Sequence, residues 1–374
     1  MSDELFNNQE LNPEEPKPEN PAADSAAKAT DYRAGFKSVS FKLGLMVIVI
    51  FCARGIGEIL TSLLVPVLSD MDVTLSYILR SLISIFFLNV VPIVLTLLIF
   101  KLPPKTVGKQ SYQKPKYFGR ALGMFPALYS LGIMTNIITI LVSRLFKDVD
   151  MNESFNTVND FAAPNLICGI ILFFQMAILA PIVEEFWFRG IVLESMRPYG
   201  NGVAIFISGL LFGLTHANFA QFFYATVLGI CLGYIAVNTK SIITTTVLHA
   251  MFNSIAATLL LLLTDESVGK FLTYSTSGRE AEITPAVGIY IGVLIFMTLL
   301  IIVGFFMAIA KIIKIKKYRV PKVQEELSPA KRWGIFLTSV TVIIGLILAA
   351  DSFTLNFLPR TVYKWIASMF GING

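Results

Sequence analysis

The chain has 374 residues, of which 55% are hydrophobic and only 15% are charged. An ordinary soluble domain has roughly 45–50% apolar and about 25% charged residues, so this composition excludes a soluble globular enzyme and indicates a membrane protein. The formal net charge is +5. The basic residues lie in short blocks beside apolar segments, as juxtamembrane anchors do, so we expect the lipid bilayer and no nucleic acid as a partner.

The first 41 residues are polar and contain four prolines, which predicts a disordered cytoplasmic tail over 1–41. From Leu43 onward, apolar segments recur at about the 20 residues that a membrane-crossing helix needs, without strand-like alternation. The sequence therefore predicts an all-α polytopic membrane protein with about eight or nine transmembrane helices. The predicted spans are 43–68, 75–100, 121–143, 165–194, 203–217, 221–238, 242–263, 286–310 and 335–350, and an interfacial piece follows at 354–370.

The distribution of lysine and arginine between the loops predicts the orientation. The loops 101–116 and 311–319 are rich in these residues and should be cytoplasmic. The loops 69–74 and 146–160 are acidic, and nine alternating crossings would place both outside. The N-terminus would then lie inside and the C-terminus outside.

Two predicted spans near the N-terminus carry charged residues that have simple structural explanations. Arg54 and Glu58 are four residues apart and should neutralise each other on one helix face. Arg80 is close to a segment end, from which its long side chain can reach the interface.

The fourth span contains two adjacent carboxylates and an arginine in apolar surroundings. An ionisable residue in a membrane helix costs about 2.5–3.5 kcal/mol on insertion scales, so each requires a partner or a function. Glu185 and Arg189 are four residues apart with the acid first, the favourable order for an ion pair. Glu184 is rotated by about 100° from Glu185 and has no partner within its own helix. We therefore predict Glu184 as the general base, supported by the Glu185–Arg189 pair.

Both histidines of the chain lie on nearby predicted helices. His216 shares a helix face with Phe212, four residues before it, and His249 shares one with Asn253, four residues after it. A lone membrane histidine often only bonds a neighbouring helix. Two of them within 65 residues of the glutamate pair favour a shared interior site built from three helices.

Glu-Glu-x-x-x-Arg, Phe-x-x-x-His and His-x-x-x-Asn follow in this order on successive predicted helices. This combination resembles the CPBP family, the CAAX protease and bacteriocin-processing (Abi) proteins, over about residues 164–263. The resemblance implies that Glu184 activates water with help from His216, and that His249 and Asn253 form the oxyanion site. The remaining motif residues would be architectural, namely Glu185, Arg189 and Phe212.

The predicted organisation is therefore a tail over 1–41, N-terminal transmembrane helices over 42–163, a catalytic core of four helices over 164–263, and C-terminal transmembrane and interfacial helices over 264–374. The predicted activity is that of an intramembrane endopeptidase of the bacterial plasma membrane. Its substrate would be a membrane-embedded or lipidated peptide or protein. The sequence makes no prediction of oligomeric state.

Three alternatives stay open from the sequence. We predict no cofactor, but Glu184, His216 and His249 also match the ligand count of a catalytic zinc site, although no His-Glu-x-x-His run is present. A non-catalytic immunity or peptide-binding protein would use the same cavity. A transporter could relay protons through the same groups, although the sequence has no matching pair of halves.

Overall fold

A computed structural model describes residues 21–101, 117–143, 163–217, 219–278, 282–313 and 327–354. Over these ranges the chain forms helices and no strands, which confirms the all-α class. The α-helices in chain order are α1 Pro21–Ser69, α2 Val73–Ile85, α3 Val91–Phe100, α4 Phe118–Leu122, α5 Phe125–Ser143, α6 Leu166–Phe174, α7 Ala180–Glu185, α8 Glu194–Met196, α9 Asn201–Thr215, α10 Phe219–Thr239, α11 Ile242–Leu262, α12 Glu266–Ser277, α13 Pro285–Ile313, α14 Pro329–Leu337 and α15 Val340–Thr354. Three π-helical stretches, Phe86–Val90, Gln175–Leu179 and Phe186–Leu193, and one 3₁₀ turn, Arg197–Tyr199, connect some of them.

Seven helical runs within the described ranges are long and apolar enough to cross a membrane. An eighth crossing results if α14 and α15, which meet at a bend of 68°, form one broken span. These numbers confirm a polytopic membrane protein. The runs are Thr30–Ser69, Val73–Phe100, Phe118–Val142, Leu166–Tyr199, Gln221–Thr239, Ile242–Leu262 and Pro285–Lys311.

The fifth predicted span, 203–217, is shorter than the membrane. It corresponds to α9, whose 15 residues extend about 22 Å, against roughly 30 Å of hydrocarbon. Seven or eight candidate crossings within the described ranges agree with the lower end of the predicted eight or nine, and α9 is a shorter apolar helix among them. The charged loops that predict the orientation fall mainly in 102–116, 144–162 and 314–326, which lie outside the described residues, so the orientation stays a prediction.

The prediction of a disordered tail over 1–41 is wrong for its second half, because α1 already begins at Pro21. Phe36 and Ser40 are completely buried, and the Phe36 ring contacts the Tyr199 ring edge-on at 5.2 Å. The Tyr32 hydroxyl donates a hydrogen bond of 2.9 Å to the Tyr199 carbonyl. One apolar side of an otherwise polar segment thus packs on the end of the fourth span. Residues 1–20 and the predicted interfacial residues 355–370 lie outside the described part of the chain.

Helices α9 and α10 form an antiparallel hairpin with a very close backbone approach. A Cβ atom at Gly209 would lie 2.6 Å from the backbone nitrogen of Ile230, and one at Gly213 would lie 2.6 Å from the Phe222 carbonyl oxygen. Glycines four residues apart allow membrane helices to pack at this distance. The approach fixes α9, whose C-terminal end carries Phe212 and His216, against the rest of the core.

The fourth span is not the continuous α-helix that its apolar pattern over 165–194 predicts. The short α7 lies between the π-helical stretches Gln175–Leu179 and Phe186–Leu193. Pro181 is at the start of α7 and has no N–H to donate into the preceding turn, which accounts for the irregularity before it. π-Helical turns are often found at functional sites, and both glutamates are in α7.

Candidate active site

Glu185 forms a fully buried ion pair with Arg189, as the four-residue spacing predicts. Glu185 Oε1 lies 2.9 Å from Arg189 Nη1, and neither side chain is exposed. Arg189 Nη2 also donates a 3.0 Å hydrogen bond to the Gly229 carbonyl, and the guanidinium carbon lies 4.9 Å from the centre of the Phe212 ring. The arginine thus links the fourth span to α9 and α10 as well as neutralising Glu185.

Glu185 also binds His249, a contact that the sequence does not predict. Glu185 Oε1 lies 3.0 Å from His249 Nδ1, and both side chains are buried. A carboxylate oxygen accepts, so the proton on this side belongs to Nδ1. Glu185 therefore has a second role besides pairing with Arg189: it orients the His249 imidazole and fixes its tautomer.

Glu184 faces the other nitrogen of the same imidazole. Glu184 Oε2 lies 3.7 Å from His249 Nε2, beyond hydrogen-bond distance, and the Glu184 side chain is 25% exposed. Oε2 has no hydrogen-bond partner among the described residues, although the atom itself is buried. Glu185 Oε2 also has no hydrogen bond among the described residues, but the Glu185 side chain is fully buried. The two adjacent carboxylates thus differ in access: Glu185 is enclosed by its two partners, whereas a substrate or a water molecule can reach Glu184.

His216 lies at the C-terminal end of α9, where the helix changes to a tighter turn. The His216 backbone N–H bonds to the Gly213 carbonyl at 3.2 Å, so the Phe212 carbonyl receives the His216 side chain instead, with Nδ1 at 2.8 Å. A carbonyl can only accept, so Nδ1 carries the proton and Nε2 is the acceptor in the neutral ring. The next residue, Ala217, has φ of 53° and turns the chain sharply.

The Phe212 ring brings the two histidines to one place. Its centre lies 4.9 Å from the His216 ring centre and 5.4 Å from that of His249, both in edge-on arrangements. The side chain is almost completely buried. The phenylalanine of the Phe-x-x-x-His pattern is therefore the surface against which both imidazoles pack.

Asn253 has a hydrogen bond that the sequence analysis did not anticipate. Its Nδ2 donates a 3.0 Å bond to the carbonyl of Met176 in the first π-helical stretch of the fourth span. The Ala180 N–H bonds to the Gln175 carbonyl, so the donor that would follow in this register is Pro181, which has no N–H. Asn253 thus provides the donor that the proline cannot. The proline five residues after Met176 was the available signal in the sequence.

Arg54 also contacts the site, although the sequence predicts for it only an ion pair with Glu58. It forms the predicted ion pair with Glu58, with Nε 2.9 Å from Oε1. In addition, Arg54 Nη1 lies 3.3 Å from the carbonyl oxygen of His216. The first membrane helix therefore contacts the turn that carries a candidate catalytic histidine.

No group of three histidine, cysteine, aspartate or glutamate side chains within the described ranges is arranged to hold a metal ion. The three cysteines do not form disulfides. Zinc bound by Glu184, His216 and His249 stays an alternative prediction, which metal analysis of the purified protein tests.

A membrane-embedded helical core with two glutamates, two histidines and an asparagine defines the class of site, and comparison with known families specifies it. Residues 166–255 match the family model of the type II CAAX prenyl endopeptidase, Rce1-like. The match includes every candidate site residue from Glu184 to Asn253 and confirms the resemblance to the CPBP family over this segment, about a quarter of the chain. No curated protein and no solved structure matches the chain. The family match supports a multi-pass membrane protein with the activity of a peptide hydrolase.

Proposed function

We propose that the protein is an intramembrane endopeptidase in which Glu184 activates a water molecule. The observation that carries this proposal is the asymmetry of the two glutamates. Glu185 is fully buried and held through Oε1 by Arg189 and His249, whereas Glu184 is 25% exposed and its Oε2 lies 3.7 Å from His249 Nε2, beyond hydrogen-bond distance. A general base needs a carboxylate that is not consumed by structural partners.

The first step is the attack of water on the peptide carbonyl. Glu184 takes a proton from the water, and the oxygen of the resulting hydroxide forms a bond to the carbonyl carbon. His216 Nε2 is an acceptor in the neutral ring, because Nδ1 donates to the Phe212 carbonyl. It can therefore accept the second hydrogen of the water and orient it toward the substrate.

The carbonyl oxygen becomes an oxyanion in this step and needs donors. His249 Nδ1 donates to Glu185, so Nε2 can donate only when the ring is the imidazolium. Asn253 has two amide hydrogens, of which one is bonded to the Met176 carbonyl. The second amide hydrogen and the imidazolium Nε2–H would stabilise the oxyanion.

In the second step, the carbon–nitrogen bond breaks as the tetrahedral intermediate collapses. The protonated Glu184 carboxyl returns its proton to the departing amine nitrogen. The products are one peptide with a new carboxylic acid and one with a new amine, and Glu184 is regenerated as the carboxylate. The new acid then gives its proton to the new amine, so the peptides leave as a carboxylate and an ammonium. The proposed substrate is a membrane-embedded or lipidated peptide or protein, and the proposed location is a bacterial plasma membrane.

The test is cleavage of membrane-anchored peptides by the purified protein and by Glu184→Gln. Glutamine keeps the volume of the side chain but cannot take a proton, so we expect cleavage to be abolished while thermal unfolding is unchanged. Glu194→Gln is the matched control, because Glu194 is in the same span but pairs with Arg197 and is one-third exposed. Cleavage by Glu184→Gln at the wild-type rate would refute the role of Glu184 as the base. No cleavage of any of these peptides by the folded wild-type protein would favour a non-catalytic peptide-binding or immunity protein. The peptides should be offered with and without a prenyl group.

A further inference from the structure

The carbonyl oxygen of His216 is at a helix end that cannot satisfy it internally. Helix α9 ends at Thr215, and the last carbonyls of a helix have no amide donor of their own. Ala217 follows with φ of 53°, a conformation that is uncommon for a residue with a side chain, and this residue is buried. The turn that carries His216 therefore needs support from outside α9.

Arg54 provides such support from the first membrane helix. Its Nη1 lies 3.3 Å from the His216 carbonyl oxygen, while its Nε lies 2.9 Å from Glu58 Oε1. A cation at a helix C-terminus is favoured by the helix dipole, and the planar guanidinium can donate in two directions at once. Glu58 fixes the guanidinium from one side, and the other side holds the turn.

We propose that Arg54 is a positioning residue that fixes the catalytic orientation of His216. The inference rests on the proposed peptidase function, because it assigns to Arg54 the task of holding a residue that orients water. Arg54 lies outside residues 166–255, the segment that matches the endopeptidase family. The Arg54–Glu58 pair is then part of the active site, in addition to neutralising two charges within a membrane helix.

Two hydrogen bonds act together to hold His216. The side chain is held by the Phe212 carbonyl through Nδ1, and the backbone of the same residue is held by Arg54. Loss of the second contact leaves the turn free to change its peptide orientation, and the ring moves with it. Small displacements of a catalytic group lower the rate much more than they lower the affinity for substrate.

The first test is kinetic and compares Arg54→Gln, Arg54→Lys and Glu58→Gln. We expect Arg54→Gln to lower kcat about 10- to 100-fold with little change in KM. Arg54→Lys should recover part of the loss, because lysine can still donate to the His216 carbonyl. Glu58→Gln keeps the guanidinium and should retain much more activity than Arg54→Gln. Arg80→Gln is the matched control, because Arg80 is an exposed arginine of α2.

The second test observes His216 directly by nitrogen-15 NMR of the imidazoles. The chain has only two histidines, so the spectrum of His249→Gln assigns the His216 signals. We expect one set of His216 signals with Nδ1 protonated in the wild type and in Glu58→Gln. In Arg54→Gln the signals should split, broaden or show the other tautomer.

If Arg54→Gln does not fold because Glu58 is left unpaired, the double variant Arg54→Gln/Glu58→Gln removes both charges and answers the same question. Wild-type kcat and wild-type His216 signals in either variant would overturn the proposal. Equal losses of kcat in Glu58→Gln and Arg54→Gln would also overturn it, because the ion pair alone would then explain the effect. The NMR measurement does not depend on peptidase activity. Wild-type His216 signals in Arg54→Gln would therefore refute the role of Arg54, whereas cleavage by Glu184→Gln would refute the proposed peptidase mechanism.

Discussion

The buried contacts of Glu185 lead to a quantitative prediction for Glu185→Gln. This substitution removes the charge that faces Arg189 Nη1 at 2.9 Å, and both side chains are fully buried. Breaking a buried ion pair by removing one partner costs about 3–5 kcal/mol, because the remaining charge has no counter-charge. We expect this loss in the free energy of unfolding, and a corresponding loss in folded yield.

The double variant Glu185→Gln/Arg189→Met separates stability from catalysis. It removes both buried charges, so most of the lost stability should return. The recovery should be incomplete, because Arg189 also donates to the Gly229 carbonyl, and a hydrogen bond from a charged group contributes about 1.5–3 kcal/mol. His249 Nδ1 still finds an acceptor in the glutamine oxygen, but that acceptor is neutral, so the hydrogen bond loses its charge assistance. The difference between a charge-assisted and a neutral hydrogen bond is about 1–1.5 kcal/mol, which corresponds to a loss of about 5- to 13-fold in kcat.

The measurements are thermal unfolding in detergent and kcat for a membrane-anchored peptide. Glu194→Gln is the control for stability, since the Glu194–Arg197 pair is partly exposed and such pairs contribute only about 0–1 kcal/mol. Wild-type unfolding of Glu185→Gln would show that the buried pair does not carry the stability assigned to it. A double variant less stable than Glu185→Gln would refute the argument that the stranded arginine is the cause.

Three further predictions concern the asparagine, the metal and the orientation. Asn253→Ala leaves the Met176 carbonyl without its side-chain donor, so it should lower the free energy of unfolding by about 1–3 kcal/mol. It also removes a proposed oxyanion donor, so kcat should fall by about 10²–10³. A variant with wild-type stability and wild-type kcat would contradict both roles. Purified protein should contain substoichiometric zinc and retain activity in strong chelator; one tight zinc per chain, with activity lost on removal and restored on return, would favour the zinc mechanism. A cysteine introduced in 146–160 should be labelled in intact cells and one in 101–116 only after disruption, and the reverse pattern would refute the predicted orientation.

The local pattern of the sequence was sufficient for the contacts within one helix. The Glu185–Arg189 pair and the Arg54–Glu58 pair both follow from a spacing of four residues and are present. Hydropathy alone was sufficient for the all-α membrane class. Both signals act over one or a few helical turns, so a single sequence contains them directly.

Contacts between helices could not be predicted in the same way. Glu185 and His249 are 64 residues apart, and Arg54 is 162 residues from His216, so no periodicity relates them. The early start of α1 was missed for the same reason, because the burial of Phe36 depends on Tyr199, far along the chain. The sequence identifies the chemically important side chains, but the tertiary packing determines which of them meet.

The row of charged groups in the site explains why two adjacent glutamates are useful. Arg189, Glu185, His249 and Glu184 follow one another in space, at 2.9 Å, 3.0 Å and 3.7 Å. In the proposed mechanism the row starts with two positive and two negative groups, if His249 is the imidazolium. When Glu184 takes the proton of water it becomes neutral, and at the same moment the substrate oxygen acquires the negative charge. The net charge of the row and the bound substrate is thus unchanged during the attack. Charge separation is expensive where the effective dielectric constant is low, so a step that only moves a negative charge from Glu184 to an oxygen beside His249 keeps the barrier small.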